Sequence, residues 1–111
     1  MIDDTHIEKL LARIPALELQ MADPDTATTP RKLQELVREH ASLKKMSEKA
    51  ENYFQARKTV REHKALLESE ERDEELRDIA RLELDELEAI LPGFEKDLLF
   101  ALLPPDEDES R

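Results

Sequence analysis

The sequence predicts an all-α fold, arranged as an elongated antiparallel three-helix bundle with a two-helix, coiled-coil-like tip. Three observations carry this reading. First, after Pro30 no Gly or Pro occurs until Pro92, and Leu33, Leu36, Val37, His40, Leu43 and Met46 step by three and four. Residues at that spacing share one helix face. Ala50, Tyr53, Phe54, Val60 and Leu67 continue it more thinly. Second, one Gly, one Tyr and no Trp speak against sheets, whereas Ala, Leu, Glu, Lys and Arg dominate as in long helices. Third, a helix of about 38 residues would be on the order of 55 Å long. In a chain of 111 residues it cannot be wrapped on all sides, so the other segments must lie along it.

The elements follow in order. Residues 5–22 read as the first helix, with Thr5 and Glu8 as a capping box. Ile7, Leu10, Leu11, Ile14, Leu17 and Met21 form its stripe. Pro15 lies inside it and removes the bond to the Leu11 carbonyl, so a kink is expected there. Asp23-Pro24 stops this helix, and Thr29-Pro30 opens the second, over 30–68. The apolar rhythm lapses at residues 69–73, where a second turn is expected. The third helix spans 73–103, with acids in its first turn. Leu76, Ile79, Ala80, Leu84, Leu87, Ile90 and Leu91 form its stripe, and Phe94, Leu98, Ala101 and Leu102 resume it after Pro92-Gly93. A kink near Pro92, or a division there into two helices, is expected. Residues 1–103 thus read as one helical domain, and 104–111 as an acidic linker.

Helix lengths constrain the assembly. The first helix is about half as long as the others and covers only one end. A three-helix body is expected near residues 7–22, 30–50 and 90–103, with a thinner two-helix tip around 55–80.

Net charge is −11, unevenly spread. Residues 31–68 hold ten bases and six acids, while 69–111 hold sixteen acids and five bases. A basic helix between acidic ones favours their mutual packing, and part of its face is also suited to RNA or an acidic protein. The overall acidity argues against autonomous nucleic-acid binding. With no Cys there is no disulfide framework or thiolate metal site. No apolar run approaches the roughly 18 residues of a membrane span, and Met1-Ile2-Asp3-Asp4 lacks a signal peptide's basic start.

No catalytic constellation is legible. Ser42, Ser47 and Ser69 lack a strained-turn motif, and the only Gly, Gly93, rules out a Gly-rich phosphate loop. His6, His40 and His63 lack metal-ligand spacing; His40 reads as a packed core residue and His63 as one on a solvated face. No enzyme site, metal or cofactor is expected. The remaining candidate is the basic cluster Arg57, Lys58, Arg61 and Lys64 near the tip. It serves either ion pairing within and between helices or a partner surface.

The C-terminal residues Leu102-Leu103-Pro104-Pro105-Asp106-Glu107-Asp108-Glu109-Ser110-Arg111 resemble the acidic Leu-Leu-Pro-x-Asp junction of bacterial class I peptide chain release factors of the UAA/UAG-reading type. Leu10 to Met21 followed by Asp23-Pro24 is similar to that family's first helix and its stop. Leu33 to Leu43 resembles its second-helix signature, with His40 replacing the usual Tyr. Asp73-Glu74-Glu75-Leu76-Arg77-Asp78-Ile79-Ala80 resembles the start of its third helix. The family's Gly-Gly-Gln loop and codon-reading tripeptide do not occur. The resemblance implies a cytoplasmic, monomeric N-terminal domain facing the stalk base of the large ribosomal subunit and the class II release factor GTPase. It implies inactivity alone, and it transfers no catalytic or contact residue. A free-standing coiled-coil adaptor, self-associating or binding partner helices, is the alternative.

Overall fold

A computed structural model describes residues 2–103. The expected linker 104–111 lies outside the described residues. Among those described there is no strand, and four helices follow one another: α1, Asp4–Met21; α2, Pro24–Ala27; α3, Pro30–Glu68; and α4, Glu74–Ala101. The molecule measures 65 × 31 × 20 Å. Its radius of gyration of 19.6 Å well exceeds the roughly 13 Å of a compact domain of this size. The 39 residues of α3 account for most of the long axis, at about 1.5 Å each.

Local chemistry explains the helix ends, with two departures from expectation. Asp3, not Thr5, caps α1: its Oδ1 accepts from the backbone N–H of Thr5 and His6. A carboxylate also suits the positive end of the helix better than a hydroxyl does. The connection expected over 23–29 contains the single-turn helix α2, capped by the Asp23 side chain through Asp25 N–H. Pro24 fits its first position and Thr26 is buried beneath it. Thr29 precedes α3 without a side-chain cap bond. At the second turn Ser69 Oγ donates to the Leu66 carbonyl, and Arg77 reaches back to the Leu67 carbonyl at 2.9 Å. Two open carbonyls at the end of α3 are thereby satisfied. Asp73 then caps α4 by accepting from Leu76 N–H.

Both prolines lie inside continuous helices. Pro15 is within α1, and Pro92-Gly93 within α4, which is one helix and not two. Pro92 is exposed, so the carbonyl it leaves without a donor, that of Glu88, lies on a water-facing stretch.

The helix α3 is the hub. The other three helices pack on it, and among the described residues the backbones of α1 and α4 do not approach one another. Their side chains meet instead. Ile7 and Leu17 of α1 and Leu98 of α4 have no exposed surface, and they share one core with Leu36, Leu43, Met46, Ala50 and Tyr53 of α3. Leu91, Phe94 and Leu102 close its α4 side. Past Tyr53 the seam narrows to Ala56 and Val60 of α3 and Ala80 of α4, two helices thick and outside that core. Three of the seven residues of the expected α4 stripe before Pro92 do not join the seam. Leu76, Ile79 and Ile90 are between 41% and 48% exposed, while Ala80, Leu84, Leu87 and Leu91 pack. On α3, Val37 is likewise exposed.

Candidate partner-binding surface

The packed positions of α3 fall into two rows. Tyr53, Ala56, Val60, His63 and Leu67 face α4 at alternating steps of three and four. One residue on lies a second row, Leu36, His40, Leu43, Ala50, Phe54 and Arg57, which holds α1. Such spacing keeps a row facing one partner as the helices supercoil. Because α1 begins at Asp4, opposite Arg57, the second row runs on uncovered into the tip.

The basic cluster straddles that point. Arg57 is bound up in the junction. Its two terminal nitrogens donate to the two carboxylate oxygens of Asp4, at 3.3 and 2.5 Å. Its guanidinium also lies 5.1 Å from the Tyr53 ring centroid and 5.0 Å from that of Phe54. Hydrogen bonding from Arg57, assisted by the charges of Arg57 and Arg61, holds the Asp4 carboxyl below its ordinary value. The same bond raises Arg57. A bidentate carboxylate and two ring faces match the planar fork of Arg, which Lys cannot reproduce.

The other three members remain at the surface. Lys58 and Arg61 are exposed and form no ion pair among the described residues. Lys64 is exposed and stands 4.0 Å from Glu88 of α4, the edge of ion-pair range. The structure therefore brings Lys58, Arg61 and Lys64 to one uncovered strip and gives Arg57 to the junction.

Sequence spacing did not indicate the cross-helix partners. Asp4 is 53 residues from Arg57, and Glu39 pairs bidentately with Arg13 across α3 and α1. That pair lowers the Glu39 carboxyl and raises Arg13, chiefly by hydrogen bonding. His63 is not on a solvated face: it is half-buried, and its Nε2 lies 2.6 Å from Glu83 Oε2 across the tip seam. His40 is half-buried against α1, with Nε2 3.4 Å from Glu18 Oε2. That Nε2 is buried without hydrogen-bond geometry to any group, so the ring is held there by packing. Among the described residues no group of three or more His, Asp or Glu side chains is placed to hold a metal ion. No described helix is long and apolar enough to cross a membrane.

Fold and surface together define a helical module built around one hub helix with charged outer faces. The family model of the PCRF domain matches residues 10–111, and the chain belongs to that family. Among curated proteins it is similar to peptide chain release factor 1 of Treponema denticola, 35% identical over 106 residues. It is similar also to the factor of the same name from Akkermansia muciniphila, at 34% over 105 residues, and from Clostridioides difficile, at 33% over 95. These alignments cover 96%, 95% and 86% of this chain. They cover only 29%, 29% and 27% of the relatives, so the chain spans less than a third of their length. No solved structure matches.

Proposed function

We propose that this chain acts in translation termination, as the ribosome-facing N-terminal module of a class I peptide chain release factor that reads UAA and UAG. The observation that carries the reading is the alignment of nearly the whole chain with less than a third of proteins named peptide chain release factor 1. On this reading the module is cytoplasmic and monomeric. It meets the ribosome at the stalk base of the large subunit and cooperates with the class II release factor GTPase. Peptidyl-tRNA hydrolysis and codon reading belong to parts beyond these 111 residues, so the chain alone is inactive. Its domain is 1–103, and 104–111 is the linker toward the reacting part. Lys58, Arg61 and Lys64 form the partner contact, supported by their exposure on the uncovered strip of α3; Arg57 positions the end of α1 beside them.

The test is a peptide-release assay on ribosomes programmed with each stop codon. The chain is supplied alone and fused into the Treponema denticola factor in place of that protein's matching segment. No release by the chain, and release by the fusion at UAA and UAG but not UGA, is the expected result. Stop-codon-dependent release by the chain alone would sink the assignment, as would a folded fusion with no activity.

A further inference from the structure

We infer that the face of the α3–α4 pair opposite α1 is a docking groove for a cationic amphipathic helix of a partner protein. This inference goes beyond termination and does not depend on it. It starts from the exposed apolar residues. Of the nine large apolar side chains most exposed, seven lie at or after Leu76. Leu76, Ile79, Ile90 and Phe100 share a single row of α4 with Glu83, Glu86, Gly93 and Asp97, spaced by three and four throughout. That is the spacing of a helix-packing seam, one residue behind the row that packs on α3. The spacing therefore continues a second packing face that no described element covers.

The side of α3 that flanks this row is equally definite. Thr59 lines the groove with Glu83, Glu86, Leu87 and Ile90. Thr59 and Arg61 are two residues apart, about 200° around the helix, so the groove and the basic strip lie on opposite sides of the seam. From Glu48 to Leu66 the α3 row at the groove carries acids and no base. Across both rows the charged residues are Glu48, Glu62, Glu83, Glu86 and Asp97, all of one sign. The chain has 17 Lys and Arg, yet none stands on either row within these limits.

An apolar seam with solely acidic flanks selects its occupant. A strand would need a free sheet edge, which two helices do not offer. An acidic helix, including a second copy of α4, would bring like charges together in a chain already at −11. A helix with Leu or Ile at heptad positions and Lys or Arg beside them satisfies both features. Its matching length is about 24 residues, set by the run from Leu76 to Phe100. The groove on the other side of α3 shows the geometry to be workable, since α1 fills it with Ile7 and Leu17 fully buried.

The probe is a labelled 24-residue peptide with Leu at heptad a and d positions and Lys and Ala elsewhere, titrated with the whole chain by fluorescence anisotropy. A scrambled peptide of the same composition controls for charge alone. We expect the patterned peptide to bind at least tenfold more tightly than the scrambled one. The I79S/I90S double variant and the E62K/E86K double variant should each lose at least tenfold, while Arg61→Glu on the opposite face leaves affinity within twofold. Melting curves establish that the variants fold, as the substituted side chains are exposed. Equal binding of the two peptides, or full affinity in folded I79S/I90S, would overturn the inference. So would a dimer of the chain in sedimentation that I79S/I90S dissolves, because the groove would then hold a second copy.

Discussion

Substituting Leu98 by Ala tests the packing at its centre. Leu98 lies on α4 with no exposed surface, within the core that unites α1, α3 and α4. The change removes three carbons, worth roughly 2.4 kcal/mol at about 0.8 kcal/mol per buried methylene. The surrounding helices cannot close the gap fully, so a residual cavity adds about 1–2 kcal/mol at roughly 24 cal/mol per Å³. The expected loss is about 3–4.5 kcal/mol, a drop in Tm of roughly 12–25 °C for a domain of this size. Urea unfolding followed by circular dichroism measures it, with Leu82→Ala as the control. Leu82 is 62% exposed on the same helix, and its truncation should cost no more than about 0.5 kcal/mol. If Leu98→Ala costs less than about 1 kcal/mol and matches the control, no shared three-helix core exists.

Three further outcomes follow from individual residues. Arg57→Ala should destabilise by about 1–2 kcal/mol through lost ring contacts and packing, whereas exposed Arg61→Ala stays within about 0.5 kcal/mol; comparable losses in urea unfolding would contradict the assignment of Arg57 to the junction. The carboxyls of Asp4 and Glu39 are held below their ordinary values of 3.8 and 4.5, so each favours the folded chain when ionised. Their contribution is complete above those values and is lost as pH falls through the lower folded ones. The Tm advantage of the natural chain over an Asp4→Asn, Glu39→Gln variant should shrink as pH drops below about 4; an advantage that grows instead refutes the pairing. Gly93→Ala should stabilise by about 0.5–1 kcal/mol in thermal melts, because Gly93 lies mid-helix, its φ is not positive, and an added Cβ meets nothing within 4 Å. A lower Tm would mean that α4 needs its glycine at this point.

The course of the chain was legible where residues have one local meaning. Asp23-Pro24, Thr29-Pro30 and the lapse at 69–73 mark the real ends of helices, since Pro and short polar side chains act on the backbone next to them. The cap of α1 is not decided by residue type, because Asp3 and Thr5 are both good caps, and only the entry angle of the chain decides between them. On α4, periodicity marked Leu76, Ile79 and Ile90 as well as Ala80, Leu84 and Leu87. Two adjacent rows satisfy the same three/four rhythm, and which one faces α3 depends on supercoiling and on the partner. Arg57, Lys58, Arg61 and Lys64 read as one cluster for a similar reason. Their spacing placed them together on α3, but the separation between Arg57 and the rest comes from where α1 begins, set by residues more than fifty positions away. His63 pairs with Glu83 by the register of α3 on α4, which charge spacing along one helix does not specify.

The proposal of a ribosome-facing module is tested most directly by sedimenting the chain with ribosomal large subunits. The chain is expected to pellet with them, and an intact relative such as the Treponema denticola factor to displace it. A chain that stays in the supernatant, or that pellets but is not displaced, does not face the large subunit as a release-factor module would.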